Sequence, residues 1–131
     1  MKSKILLFLM LFTFSLTLNA QDLKCNKFKS GRFYYPSLPG KISVMTDSIT
    51  KSYNNGNLEM IWKVRWLSEC KYELTCIEIL NNNLKSKVGD RIEVTIIKIE
   101  GSCFYTSLMF YNSENPKGKS VPSSQICLEN N

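Results

Sequence analysis

Along most of the chain apolar and polar residues alternate with a period of two, in short runs separated by Gly, Pro, Asn and Asp. Between Leu58 and Leu67, the residues Leu58, Met60, Trp62, Val64 and Trp66 share one face, while Glu59, Lys63 and Arg65 share the other. That is the pattern of a strand with one buried and one wet face. From Cys70 to Leu80 the pattern repeats, with Cys70, Tyr72, Leu74 and Cys76 set against Lys71, Glu73 and Thr75. With Leu67-Ser68-Glu69 as the turn, Trp66 pairs with Cys70, Val64 with Tyr72, Trp62 with Leu74 and Met60 with Cys76. A slip of one residue would set inward side chains against outward ones. After Cys76 the phase changes, because Ile77 and Ile79 fall on the opposite face, and a bulge or the end of the sheet face is expected there.

The other runs extend the same reading. Phe28 to Tyr35 is an aromatic-rich strand interrupted at Ser30-Gly31 and ended by Pro36 and Pro39-Gly40. Ile42 to Tyr53 is rich in β-branched residues and divides at Asp47. Asn54-Asn55-Gly56-Asn57 is a hairpin turn, since Asn and Gly accept positive φ. Arg91 to Glu100 and Cys103 to Tyr111 are joined by Gly101-Ser102, which suits a type II′ turn. That turn pairs Ile99 with Phe104, Val94 with Met109 and Ile92 with Tyr111, with a bulge or twist near Ile96-Ile97. Asn81 to Asp90 reads as a loop, with helix limited to a turn or two near Asn83 to Val88. Residues 112–131, with Pro116, Gly118 and Pro122, read as an irregular tail tied by Cys127. The expectation is all-β, about six or seven strands in a small antiparallel meander that forms a lipocalin-like barrel or half-barrel, with a β-sandwich as the alternative.

The first twenty residues do not belong to this pattern. Lys2 and Lys4 precede an apolar run from Ile5 to Leu18, and Asn19-Ala20-Gln21 follows. A positive start, an apolar stretch too short to span a bilayer and a terminal small residue read as a secretory signal peptide over residues 1–20, cleaved after Ala20. Residues 21–111 then form a single β domain, and the protein is expected to be secreted or periplasmic with no transmembrane span after cleavage. Loss of Lys2 and Lys4 leaves 15 basic against 11 acidic residues, so the net charge falls from +6 to +4. The remaining positive charges are interspersed with acidic ones, which is a solvated surface and not a nucleic-acid footprint. The mature chain has no alanine, the only one being Ala20, and this agrees with a β fold because alanine is the best helix former.

Five cysteines, Cys25, Cys70, Cys76, Cys103 and Cys127, lie in the mature part. In an exported chain the first expectation is disulfides. Cys25, Cys70, Cys103 and Cys127 are the candidates, and spacing alone leaves their connectivity open. No CxxC pair and no histidine are present to complete a metal site or to activate a thiol. Glu73 and Glu78, at odd spacing in one strand, face opposite sides and make a poor acid–base pair. Neither a serine-nucleophile motif, a phosphate-binding glycine loop nor a calcium-loop spacing occurs. The expectation is therefore no catalytic residue, no metal and no cofactor. What remains is aromatic: Trp62, Trp66, Tyr72 and Phe104, with Leu74, are candidates to line an internal pocket for a small apolar ligand. Phe33-Tyr34-Tyr35 is a candidate contact strip. The leading expectation is a non-enzymatic binding domain for a small apolar ligand or an envelope component. A secreted protein-interaction or inhibitor-like module comes second, and an enzyme of unknown type last.

Two segments carry a resemblance. Cys25-x-x-Phe28-Lys29-x-Gly31-x-Phe33-x-Tyr35 is followed by Trp66-Leu67-x-Glu69-Cys70-x-Tyr72-x-Leu74, and Val94-x-Ile96 lies further on. The chain resembles a family of small secreted bacterial proteins, uncharacterised in activity, that share the pattern C-x-x-F-K-x-G-x-F and W-[IL]-x-[DE]-C-x-Y-x-L. The resemblance covers roughly residues 25–100. It implies a shared β fold and pairs Cys25 with Cys70. Some members carry a topoisomerase IV description, for which this chain is too short and has neither an ATP site nor a positioned catalytic tyrosine.

Overall fold

The computed structural model describes residues 22–130, so the signal peptide expected over residues 1–20 lies outside the described residues. Nine strands follow a 3-10 turn at Asn26–Phe28: β1 (Gly31–Tyr34), β2 (Lys41–Met45), β3 (Ile49–Asn54), β4 (Asn57–Ser68), β5 (Lys71–Ile79), β6 (Arg91–Glu100), β7 (Cys103–Tyr111), β8 (Lys119–Val121) and β9 (Gln125–Leu128). Each strand from β1 to β7 pairs antiparallel with the next. β9 then bridges β7 to β1, which closes an eight-stranded antiparallel barrel, and β8 adds a ninth strand beside β7. The molecule is thus a closed barrel of the lipocalin-like kind, neither a half-barrel nor a sandwich.

Local chemistry accounts for the turns. Asn55 and Gly56 have φ of 48° and 82°, so the two-residue β3–β4 connection takes the doubly positive form that Asn-Gly favours. Gly101, with φ 61°, opens the β6–β7 turn between the paired residues Glu100 and Cys103. Ile42–Tyr53 divides at Thr46–Ser48, as expected, into β2 and β3. The expected bulges occur too. Ile77 is the extra residue opposite the Ile61–Trp62 step, and Ile97 is the extra residue of β6.

Several expectations need correction. Residues 112–131 are not merely an irregular tail, because they supply β8 and the closing strand β9, which brings the strand count to nine. The helical turn lies at Asn26–Phe28 and not near Asn83 to Val88. The β4–β5 register is two residues from the expected one: Trp66 pairs with Tyr72, Val64 with Leu74 and Trp62 with Cys76, while Met60 lies opposite Ile79. Ser68 pairs with Lys71, so the turn is tighter than Leu67-Ser68-Glu69 and Leu67 is bulged. A shift of two still sets inward residues against inward residues, so the alternation cannot detect it. In β6–β7, Ile99 pairs with Phe104 as expected. Beyond the Ile97 bulge the partners move by one, Val94 to Leu108 and Ile92 to Phe110.

The interior holds two apolar clusters. The larger includes Cys25, Phe28, Phe33, Val64, Tyr72, Val94, Ile96, Phe104 and Ile126. The 3-10 turn inserts Phe28 against Phe104, with ring centroids 4.6 Å apart, and Phe33 meets the same ring edge-on at 6.0 Å. A disulfide from Cys25 to Cys70 ties that turn to the β4–β5 hairpin, and a second joins Cys103 to Cys127 across paired strands. The pairing that the family resemblance implies, Cys25 with Cys70, is the one observed. The smaller cluster is Met60, Trp62 and Cys76. Leu74 and Ile92 pack against both clusters.

Candidate functional site

The barrel is not solid where the two clusters meet. A cavity of about 200 Å³ lies there, with Trp62, Tyr72, Leu74, Ile92, Val94 and Ile126 among its apolar walls. Hydroxyl-bearing residues interrupt those walls: Tyr35, Ser43, Thr50, Ser52 and Ser124. No charged side chain lines the cavity. A second hollow of about 170 Å³ adjoins it, sharing Tyr35, Ser43, Ser52 and Trp62 and extending to Leu38, Lys41, Glu59 and Leu84.

Strand alternation positions these groups. Ser43 and Met45 on β2, Thr50 and Ser52 on β3, and Trp62 on β4 lie two residues apart or directly paired, Met45 with Thr50 and Thr50 with Trp62. Tyr35, just after β1, bonds through its hydroxyl to Ser43 Oγ at 2.7 Å. Burial pushes the Tyr35 phenol up, and the Ser43 bond only partly opposes this. Tyr72 is pushed up as well, by burial first and then by Tyr35. Both phenols therefore stay neutral at ordinary pH. Thr50 is 3% exposed, and its Oγ1 has no hydrogen-bond partner. A buried hydroxyl without a partner is uncommon in folded proteins and calls for an explanation.

Of the residues expected to line the pocket, Trp62, Tyr72 and Leu74 do so, and Trp66 and Phe104 do not. Phe104 is sealed between Phe28 and Phe33 in the solid part of the core. Trp66 sits at the end of β4, where its ring packs on Tyr72 with centroids 4.6 Å apart and Lys29 Nζ lies 5.1 Å from its centre. The alternation places Trp66 on the inward face but says nothing of where along the barrel axis the space is left. Thr50, Ser43, Ser52, Ile92 and Val94 were not singled out from the sequence. Ser43 shares the parity of Met45 and Thr50 pairs with Met45 across β2–β3, but polar residue types in a strand ordinarily signal the wet face. Of the Phe33-Tyr34-Tyr35 strip, Phe33 is buried and Tyr35 half-buried, which leaves Tyr34 as the exposed ring.

Glu59 also departs from the expected wet face of β4. It is buried, accepts hydrogen bonds from Lys41 at 2.5 Å, Asn81 at 3.0 Å and Asn54 at 3.3 Å, and accepts the Leu80 and Asn81 amides at its carbonyl. The register shifts at Ser52/Tyr53 and Ile61/Trp62 turn this end of β4. The chain after β5 then folds over it. The lone free thiol among the described residues, Cys76, is buried beside Met60 and Trp62, and burial pushes it up, away from nucleophilic use. Glu73 is taken by Arg65 and Arg91, and Glu78 is exposed, so the two do not act together. A larger hollow, of about 730 Å³, lies between the chain after β5 and the segment before β8, with Lys85, Lys87, Lys119 and Glu114 around it. All four of those side chains are exposed, whereas the walls of the interior cavity are mainly apolar and carry no charge.

Comparison of the chain with protein-family models, with curated proteins and with solved structures finds no match. Among the described residues no helix is long and apolar enough to cross a membrane.

Proposed function

We propose that this protein is an exported, non-enzymatic barrel that holds a small, largely apolar molecule in its interior, in the periplasm or outside the cell. One observation carries the reading: a partly open cavity of about 200 Å³ between two apolar clusters, walled by Trp62, Tyr72 and Leu74. Folded interiors are normally packed to crystal-like density, and space of this size in so small a core is costly unless something occupies it. A dry cavity of about 150 Å³ takes benzene, so about 200 Å³ suits a ligand of about eight non-hydrogen atoms. The signal-like start and the two disulfides support export, since such bridges persist in oxidising compartments. Membership of the small secreted family is part of the same proposal, and the Cys25–Cys70 bridge supports it.

Native mass spectrometry of protein purified from the periplasm tests the reading. The expected species begins at Gln21, carries two bridges and retains a small molecule that organic solvent removes. A ligand-free protein whose Trp62-dependent fluorescence is unmoved by small apolar probes overturns it. A role in contacting an envelope protein has less support, because the strip suited to it buries Phe33 and half-buries Tyr35.

A further inference from the structure

Resting on the cavity reading above, we propose that residues 82–86, in the connection from β5 to β6, form a strap that opens to admit the ligand, with Leu84 as its latch. The interior cavity shares Tyr35, Ser43, Ser52 and Trp62 with the adjoining hollow, so the hollow is a way in. Leu84 forms part of that hollow's wall and packs on the cluster of Met60, Trp62 and Cys76. The chain is pinned on either side of it. On one side the Leu80 and Asn81 amides donate to the Glu59 carbonyl, and Asn81 Nδ2 donates to Glu59 Oε1 at 3.0 Å. On the other, Gly89 N donates to the Cys76 carbonyl at 2.9 Å and Lys87 N to Asp90 Oδ2 at 2.8 Å. Between these anchors the strap is loosely held. The Leu84 and Asn83 amides bond back to Asn81, and among the described residues no hydrogen bond joins 82–86 to the barrel. Asn82, Asn83 and Lys85 are exposed, while Leu84 is half-buried. One leucine side chain is thus the apolar attachment of the strap. Segments held by so few buried contacts open more often than the body they cover. Cys76 reports the opening, because its buried free thiol lies in the cluster against which Leu84 packs.

The test follows Cys76 labelling by an aqueous thiol reagent in the mature, disulfide-bonded protein across low urea concentrations, and p-xylene exchange by NMR. Labelling should be far slower than in the denatured protein yet nearly independent of urea, because a local opening exposes little surface. Leu84→Ala should label about tenfold faster, the worth of burying about half a leucine side chain. Val88→Ala, at an exposed position on the same connection, should label as the wild type does. Binding and release of p-xylene should both quicken in Leu84→Ala. A wild-type labelling rate that follows urea as steeply as global unfolding overturns the strap, whatever the variants do. Equal acceleration by Val88→Ala overturns the role of Leu84, and unchanged p-xylene exchange in Leu84→Ala overturns this route of entry; in both cases the cavity reading stands. If p-xylene binds neither protein, the cavity reading falls and the gate falls with it, even where labelling shows that the strap moves.

Discussion

Glu59 is a carboxylate held below its usual range mainly by the hydrogen bond from Lys41, with Asn81 and Asn54 adding to it and burial opposing. Its folded pKa is therefore lower than its unfolded one. The stabilisation is complete above the unfolded value, about 4.3, and is lost as pH falls through the folded value. Glu93 is lowered in the same direction by Lys71. Stability is expected to fall on acidification below about pH 5, and Glu59→Gln should be less stable at neutral pH and flatter across the acid limb. Urea midpoints measured from pH 7 to pH 3 check this. A parallel wild-type and variant profile would show that Glu59 is not the titrating group. At the same scale, Cys76 should resist an aqueous thiol reagent in the native protein and react as a single thiol once denatured. Phe104→Ala should cost about 3–5 kcal/mol, since its ring fills a solid site between Phe28 and Phe33.

Among the elements, the β3–β4 hairpin and β9 are the most informative. Gly56 takes φ of 82° with open space where a side chain would go. Gly56→Ala should therefore destabilise through backbone strain alone, by about 1 kcal/mol, which denaturant melts can resolve. β9 closes the barrel with few pairs, Phe33 to Leu128 and Tyr34 to Cys127 on one side and Cys103 to Tyr105 with their partners on the other. The bridge from Cys103 to Cys127, spanning 24 residues, compensates for that brevity. Replacing both cysteines by serine is expected to cost about 3–4 kcal/mol on chain-entropy grounds. Hydrogen exchange should then quicken first at the β1–β9 and β7–β9 amides. Uniform acceleration throughout the barrel would argue that β9 does not open as a local unit.

For the molecule as a whole, a seven-strand meander has two free edges, and the segment that looked least like structure joins them. Gln125-Ile126-Cys127-Leu128 is short and follows a stretch rich in Pro and Ser, so its strand character has almost no local signal. Ile126 enters the core only because β7 and β1 leave a gap of one strand width. The cavity is a property at this scale too, since its walls come from strands β2 to β7 and from β9. Trp62, Tyr72 and Leu74 were legible as pocket candidates from their shared inward parity. Thr50 was not, because nothing local distinguishes an inward threonine from an outward one.

The sequence by itself determined the strands β1 to β7, most of their inward faces, the hairpin turns at Asn55-Gly56 and Gly101-Ser102, and the breaks in alternation near Ile77 and Ile97. These follow from period-two patterning and from the φ demands of Asn and Gly, and both act within a few residues. The tertiary structure alone decided the two-residue β4–β5 register, the closure through β9, the burial of Glu59 and the cavity beside Thr50. Alternation repeats every two residues, so it cannot count along the barrel axis. Closure and empty space depend on which distant strand ends meet.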